Sequence, residues 1–315
     1  MRVLVTGVTG QVGGALVARL KGLGTVVPAN RERFDLSRPE ALSRALDEIA
    51  PDLIINPAAY TAVDRAEHEY ELALQVNGEA PGAMARWAAA HGIPLVHFST
   101  DYVFDGSGER PWVEDACPRP LSAYGASKLA GEDLVREAGG SSLIVRTSWV
   151  YAASGANFLR SIARLARERE ELRIVADQVG APTSAALIAD AVATIVAGGV
   201  EPLRKKFVAA NGLVHLAASG ETSWYDFASA IVVGLRSRGV PLAVKRILPI
   251  RTEQYPTPAT RPKNSRLDLG RLNKVFGIAP PPWDAALAVE LDRLAQGLLK
   301  SYPGNITWNY RACNV

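Results

Sequence analysis

The first half of the chain alternates short apolar, β-branched runs with segments of helical period, and this alternation constrains the fold more than any other feature. Repeated units of a strand followed by a helix build a parallel sheet with helices on both faces. We therefore predict an α/β fold with a doubly wound parallel sheet. Its strands are expected at 2–6, 25–29, 53–56, 95–99 and 143–146.

The regular alternation ends near Trp149, where prolines and glycines become frequent and short strands mix with helices. A chain of 315 residues is long enough for two ordinary domains, each with its own core. We expect a first domain at 1–150, to whose sheet 173–200 returns, and a smaller C-terminal α+β domain that occupies most of 151–300. The remaining residues, 301–315, are expected to form a frayed tail. Further helices are expected at 122–137, 157–169, 223–236 and 283–299.

A glycine-rich segment joins the first expected strand to the first expected helix. It reads Gly7-Val8-Thr9-Gly10-Gln11-Val12-Gly13. Glycines allow the backbone to approach a pyrophosphate closely, and the N-terminus of a helix attracts an anion. The strand and helix around the segment are those of a dinucleotide-binding turn. We therefore predict a Rossmann-like NAD(P)-binding domain, with the cofactor at Gly7, Thr9, Gly10, Gln11, Val12 and Gly13.

The end of the second strand discriminates between the two nicotinamide cofactors. An acidic residue there binds the ribose 2′-hydroxyl of NADH, whereas arginine favours the 2′-phosphate of NADPH. The chain has Asn30-Arg31-Glu32-Arg33, without an aspartate, so NADPH is favoured and NADH is possible. Arg33 is equally explained as a solvated loop charge. Asp35 and Leu36 are expected to border the adenine.

The GxxGxxG spacing resembles that of the short-chain dehydrogenase/reductase superfamily, especially its extended branch. The superfamily also requires a tyrosine and a lysine four residues apart on one helix, and Tyr124 and Lys128 match it. Thr100, at the end of the fourth strand, lies where the superfamily keeps a catalytic serine or threonine. In such a set Tyr124 is the general acid, the charge of Lys128 lowers the pKa of Tyr124, and Thr100 hydrogen-bonds the substrate carbonyl. The lysine can also hold the nicotinamide ribose.

Five longer segments resemble the dTDP-4-dehydrorhamnose reductase family. They are 99–106 (STDYVFDG), 120–132 (PLSAYGASKLAGE), 146–151 (RTSWVY), 177–183 (DQVGAPT) and 255–267 (YPTPATRPKNSRL). The resemblance extends from residue 1 to about 300. It implies NAD(P)H-dependent reduction of the C4 ketone of dTDP-4-dehydro-L-rhamnose, with a dTDP-sugar held by the second domain.

The resemblance also assigns further residues to the site. Ala58, Ala59 and Tyr60 follow the third strand, where the family passes the cofactor with small residues, and Tyr60 and Val63 should face the active site. Asp101, Tyr102 and Trp149 would line the sugar pocket, although Trp149 is also explained as core. Arg261, Asn264 and Arg266 would lie near the nucleotide, although a structural loop also explains that segment. Asn77 is either an asparagine that maintains the site or a buried amide that caps backbone groups.

The chain departs from the family at one metal site. Some members bind magnesium through two glutamates at a dimer interface, where this chain has Ala15 and Ala186. We therefore expect no metal, and a monomer or a weak homodimer. The four histidines lack ligand spacing and are expected to be surface or core residues.

Composition restricts the remaining classes of function. A net charge of +3 with scattered basic residues does not indicate a nucleic-acid partner. No apolar stretch reaches the roughly 20 residues of a membrane span, and no signal peptide is recognisable. Two cysteines are too few for a disulfide scaffold, so a cytoplasmic location is expected.

Two alternatives to this reductase stay open. The first is a reductase or epimerase that acts on another dTDP-4-keto deoxysugar, since a few pocket residues decide the stereochemistry. The second is a non-catalytic subunit like the regulatory β subunit of methionine adenosyltransferase, which resembles this chain. An intact set of Thr100, Tyr124 and Lys128 favours the enzyme, because a regulator does not need it.

Overall fold

The computed structural model describes residues 1–300, and the tail expected to be frayed lies outside the described residues. The strands are β1 (Arg2–Val5), β2 (Thr25–Pro28), β3 (Leu53–Asn56), β4 (Leu95–Thr100), β5 (Ser142–Thr147), β6 (Val150–Tyr151), β7 (Glu171–Val175), β8 (Val179–Gly180), β9 (Thr183–Ser184), β10 (Leu213–His215), β11 (Thr222–Ser223) and β12 (Arg246–Ile250).

The α-helices are α1 (Gln11–Leu20), α2 (Leu42–Ile49), α3 (Val63–Ala66), α4 (Tyr70–Leu74), α5 (Ala80–Ala90), α6 (Ala123–Glu137), α7 (Phe158–Glu168), α8 (Ala185–Val196), α9 (Val200–Ala209), α10 (Trp224–Ser237), α11 (Gly270–Phe276) and α12 (Trp283–Lys300). A π-helical turn, Gln75–Glu79, joins α4 to α5, and a 3₁₀ turn, Asp101–Val103, follows β4.

Six parallel strands form the central sheet in the order β10-β5-β4-β3-β1-β2. The strand order reverses on either side of β1, so the carboxyl ends of β1 and β3 form a topological switch point, where ligands bind in such sheets. The predicted doubly wound α/β fold is confirmed. The sixth strand, β10, was not predicted.

Apolar clusters cover both faces of this sheet. Leu16 of α1 and Ile188 of α8 pack on one face, and Leu46 of α2 and Met84 of α5 pack on the other. Side-chain caps begin several helices: Ser122, Asn157, Ser184 and Ser223 each accept a hydrogen bond from a backbone N–H in the first turn of α6, α7, α8 and α10, respectively.

The prediction that 173–200 returns to the first sheet is wrong for its strand. β7 pairs with β12 in a separate two-stranded parallel sheet, and the edge position beside β5 belongs to β10. The helix of that segment, α8, does pack against α1 and the central sheet. A third apolar cluster, built on α7, α10 and α12, lies apart from the two that cover the sheet.

No single helix in residues 1–300 is long and apolar enough to cross a membrane. Only α8 and α9 taken together, with a bend of 108° between them, meet the criteria of length and composition.

Candidate active site

The loops after β1 and β3 touch at the switch point. Gly7 has a φ of +58°, and a Cβ there would lie 2.8 Å from the Cα of Ala58. A Cβ on Gly13 would lie 2.2 Å from the carbonyl oxygen of Gly7, so both positions require glycine. Gly10 begins α1 without a side-chain cap, and the first turn contains no acidic residue. This uncapped N-terminus, with its close backbone, fits a dinucleotide pyrophosphate.

The loop after β2 places its polar side chains at the surface. Asn30 accepts a hydrogen bond from the backbone N–H of Arg33, and Asp35 accepts from both the backbone and the hydroxyl of Ser37. Arg31 is exposed and lies 3.5 Å from Asp35, which leaves its guanidinium accessible to a phosphate. Leu36 is instead buried in the core cluster beneath the sheet, so only its edge could border an adenine.

Helix α6 carries Tyr124 and Lys128 one turn apart. The Nζ of Lys128 is buried, donates a 2.6 Å hydrogen bond to the carbonyl of Phe98, and lies 3.5 Å from the Nε2 of His97. Burial lowers the pKa of Lys128 to about 8, against the opposing charge of Glu132. The ammonium is therefore close to its titration point at neutral pH.

Thr100 and Asp101 lie beside the phenol of Tyr124. Burial raises the pKa of Tyr124, the Asp101 charge raises it further, and a hydrogen bond with Thr100 opposes both. The Lys128 ammonium contacts the Phe98 carbonyl and His97, and its expected lowering of the Tyr124 pKa stays a prediction. Burial also raises the pKa of Asp101 to about 6, against hydrogen bonds with Ser265 and Thr100.

Two aromatic contacts continue from this centre toward the second half of the chain. The rings of Tyr102 and Tyr124 meet edge to face, with centroids 5.5 Å apart. Trp149 adopts a left-handed φ of +48° and stacks on Trp224, with centroids 3.5 Å apart. A Cβ on Gly180 would lie 2.7 Å from the Trp149 indole, so this ring is tightly held.

A cavity of about 680 Å³ lies between the site and the small β7/β12 sheet. Tyr102 and Arg261, two of the expected substrate residues, line it, and their contact with substrate stays a prediction. Arg261 donates to both carboxylate oxygens of Asp64, at 2.9 and 2.7 Å, so its guanidinium is already paired. Val63 and Trp149 do not line the cavity, although their neighbours Asp64 and Trp224 do.

Asn264 and Arg266 do not line this cavity either. Asn264 is buried and donates to the carbonyl of Arg110, and its oxygen accepts from Arg266 at 2.8 Å. Arg266 also pairs with Glu221 at 2.9 Å. These contacts give both residues a structural part, so their prediction as substrate residues finds no support in the geometry.

Asn77 joins the loop after β3 to the catalytic helix. Its oxygen accepts from the N–H of Tyr60 at 2.8 Å, and its Nδ2 donates to the Tyr60 carbonyl and to the Ser127 hydroxyl, each at 3.0 Å. The buried amide therefore caps backbone groups and fixes the loop beside Ala58 and Ala59. The Tyr60 hydroxyl donates to Glu69.

Sequence reasoning missed several neighbours of the site. Phe158, Trp224, Tyr255 and Asp64 line the cavity, but they come from four segments whose proximity no spacing reveals. His97 is a core residue, as expected, yet it also faces Lys128. A histidine within the apolar strand 95–98 was the only signal available for it.

Ala15 and Ala186 line a common groove of about 400 Å³ beside the glycine-rich loop. Within residues 1–300 there is no group of three or more histidine, cysteine or acidic side chains that could hold a metal ion. The expectation that no metal is bound stays a prediction.

Comparisons with known proteins show the family of the chain. The family model described as "RmlD substrate binding domain" matches residues 1–296. The chain is 49% identical to the dTDP-4-dehydrorhamnose reductase of Burkholderia thailandensis, over 92% of this chain and 97% of that protein. It is 43% identical to the enzyme of the same name from Escherichia coli, over 93% and 98% of the two chains.

A solved structure resembles this one along nearly its whole length. It is the dTDP-4-dehydrorhamnose reductase of Bacillus anthracis in complex with NADP, with a TM-score of 0.83 and 33% identity. The match covers 93% of this chain and 99% of the other.

Proposed function

The chain belongs to the family of dTDP-4-dehydrorhamnose reductases, and from that premise we propose that it reduces the C4 ketone of dTDP-4-dehydro-L-rhamnose to dTDP-L-rhamnose with NADPH. The single observation that carries this proposal is the set of Thr100, Tyr124 and Lys128, with Thr100 and Lys128 buried, beside a cavity that can hold a nucleotide-sugar.

The cofactor residues proposed from the sequence fit a dinucleotide. The absence of side chains at Gly7, Gly10 and Gly13 would let the backbone approach the pyrophosphate closely. The N-terminus of α1 would face the same group. Arg31 is an exposed cation in the loop after β2, where an arginine favours the 2′-phosphate of NADPH over NADH. When bound, the nicotinamide supplies the hydride.

The protein side chains handle the proton. The phenol of Tyr124 donates it to the C4 oxygen as negative charge develops there, and the Thr100 hydroxyl hydrogen-bonds the same oxygen. A phenol whose pKa is raised by burial holds its proton until that charge appears. Lys128, the buried lysine one turn away on the same helix, would supply the replacement proton.

We propose that the sugar lies against Tyr102 and Asp101, with the nucleotide in the cavity lined by Arg261, Trp224 and Phe158. Aromatic faces suit a base, and a guanidinium suits a diphosphate. The divisions 1–150 and 151–300, a monomeric or weakly dimeric state, and a cytoplasmic location stay predictions.

The test is reduction of dTDP-4-dehydro-L-rhamnose, followed by loss of nicotinamide absorbance. We expect Tyr124→Phe to lower kcat by about 10²–10⁴-fold with NADPH binding unchanged, because only the transferable proton is removed. The matched control is Tyr70→Phe, at an exposed tyrosine that begins α4, and it should leave kcat unchanged.

Consumption of NADPH with other 4-keto deoxysugars, but not with this one, would move the assignment to another substrate. If the wild-type protein bound NADPH and consumed none with any of them, the non-catalytic regulatory subunit would be favoured and the proposal rejected.

A further inference from the structure

A row of four buried side chains runs beneath the site and ends at Lys128, and its other three members take no part in the mechanism above. Thr6 follows β1, Asn56 ends β3, His97 lies on β4, and Lys128 lies on α6. Thr6 Oγ1 is 2.5 Å from Asn56 Oδ1, Asn56 Nδ2 is 3.1 Å from His97 Nδ1, and His97 Nε2 is 3.5 Å from Lys128 Nζ. None of the four is more than 2% exposed.

The first contact fixes the orientation of the Asn56 amide. A separation of 2.5 Å is at the short end of the range for O–H···O and below the range for N–H···O, so the amide oxygen faces the Thr6 hydroxyl. Thr6 Oγ1 also accepts from the backbone N–H of Ala58 at 3.3 Å, which leaves its own hydrogen to be donated to Asn56. The Asn56 NH₂ group therefore points at the imidazole.

The amide in turn fixes the tautomer of His97. A nitrogen that accepts from Asn56 Nδ2 carries no hydrogen, so Nδ1 is bare. Burial first, and then the nearby Lys128 charge, hold the pKa of His97 well below its usual value against a hydrogen bond with the Asn56 backbone, so the ring is neutral. The single ring hydrogen must then lie on Nε2, which faces Lys128.

An N–H that points at a lysine nitrogen favours the amine over the ammonium. The amine offers a lone pair to that hydrogen, whereas the ammonium opposes it with hydrogens of its own. We propose that His97 is a positioning residue which, oriented by Thr6 and Asn56, sets the charge state of Lys128 by holding its neutral form.

The other groups that face Lys128 act in the opposite direction. The Phe98 carbonyl accepts from Nζ at 2.6 Å, and Glu132, one turn further along α6, favours the ammonium. Glu132 is itself neutralised by Arg146 of β5, through contacts of 2.7 and 2.6 Å. Tyr124, one turn back, carries no charge until it has given up its proton. His97 is thus the group in contact with Nζ that stabilises the amine.

The catalytic consequence rests on the proposed function. A lysine that titrates near the working pH can return a proton to Tyr124 in each cycle, whereas one with the ordinary pKa near 10.4 would release it reluctantly. His97 would hold the amine that remains until a proton arrives.

The test measures the tautomer and the lysine directly. Protein labelled with ¹⁵N in histidine, saturated with NADPH, should show His97 with its hydrogen on Nε2 and still neutral well below the pH at which an ordinary histidine titrates. Assignment among the four histidines uses His97→Gln. The ¹³Cε shift of Lys128, followed against pH, gives its titration point. Neither measurement needs turnover, so a failure of the proposed substrate would not obscure the result.

Two variants alter this row of hydrogen-bonded side chains at different residues. Asn56→Asp presents a carboxylate that accepts from Nδ1–H, so the ring hydrogen should move to Nδ1 and the pKa of Lys128 should rise by one unit or more. Thr6→Val adds no charge. It removes the hydroxyl that orients Asn56. We therefore expect a mixture of His97 tautomers and a smaller rise in the pKa of Lys128 than in Asn56→Asp. In both variants the alkaline limb of the pH profile of kcat/KM should move to higher pH, together with the pKa of Lys128.

The matched control is Thr147→Val. Thr147 ends β5, as Thr6 follows β1, and its buried hydroxyl has no hydrogen-bond partner in residues 1–300, so tautomer and lysine should be unchanged. The proposal is overturned if wild-type His97 carries its hydrogen on Nδ1. It is also overturned if Asn56→Asp or Thr6→Val moves the hydrogen while Lys128 titrates as before. Should Asn56→Asp fail to fold, Thr6→Val and the wild-type tautomer decide alone.

Discussion

At the scale of single residues, Asp101 makes the stability of the fold depend on pH. Its carboxyl is 2% exposed, and burial raises its pKa to about 6. The folded state therefore binds this proton more tightly than the unfolded chain, where a carboxyl titrates near 3.9. Stability must fall as the pH rises from about 4 through about 6, and at most about 3 kcal/mol is lost above that range.

We predict that Asp101→Asn stabilises the protein at pH 7.5 by about 1–3 kcal/mol, since the amide keeps the shape and loses the buried charge. The gain should shrink at pH 5, where the wild-type carboxyl is largely protonated. Urea unfolding at both pH values measures it. An equal gain at the two values would contradict the assigned pKa.

The sequence predicted the contacts of residues that are close together in the chain better than the contacts of residues that are far apart. The four-residue spacing of Tyr124 and Lys128 places them one helical turn apart, and Thr100 was assigned from its position at a strand end through the superfamily resemblance. The partners of Asn264 and Arg266 could not be predicted, because Arg110 and Glu221 lie far away in the chain. An arginine in a loop has the same sequence appearance whether it pairs with a ligand or with a glutamate.

At the scale of elements, helix α6 packs closely against the π-helical turn Gln75–Glu79. A Cβ on Gly131 of α6 would lie 2.1 Å from the carbonyl oxygen of Asn77. We predict that Gly131→Ala destabilises the protein by about 1–3 kcal/mol, although alanine is the better helix former by about 1 kcal/mol. It should also lower kcat, because the shift of α6 carries Tyr124 with it.

Thermal unfolding and steady-state kinetics of the same preparation measure both effects. Gly22→Ala is the matched control, since a Cβ there meets nothing within 4 Å. A Gly131→Ala protein as stable and active as the control would mean that this contact is loose.

Helices and strands were predictable where their hydrophobic pattern was long or repeated along the chain. The five leading strands of the sheet and the capped helices α6, α7 and α10 were found within a few residues. The edge strand β10 was missed because three residues carry no periodicity, and β7 was assigned to the wrong sheet. The partner of β7, β12, lies some 75 residues away in the chain, and no local pattern encodes that pairing.

At the scale of the whole molecule, the proposed second domain would have its own core. Phe227 is fully buried in the apolar cluster of α7, α10 and α12. We predict that Phe227→Ala costs about 3–5 kcal/mol and unfolds this region first, while NADPH binding at the sheet is retained. Unfolding followed by far-UV circular dichroism and by NADPH fluorescence should then give separate transitions. Coincident transitions would argue for one cooperative unit.

The stacked pair of Trp149 and Trp224 has an optical consequence. Indoles held 3.5 Å apart and inclined by 11° couple their excited states, so they should produce a paired band in circular dichroism and quench each other's emission. Trp224 lines the cavity proposed for the nucleotide, whereas Trp149 is locked by its backbone and by Gly180. A ligand that displaces one ring and not the other would change this signal without any label. The protein would thus carry its own spectroscopic reporter of an occupied cavity.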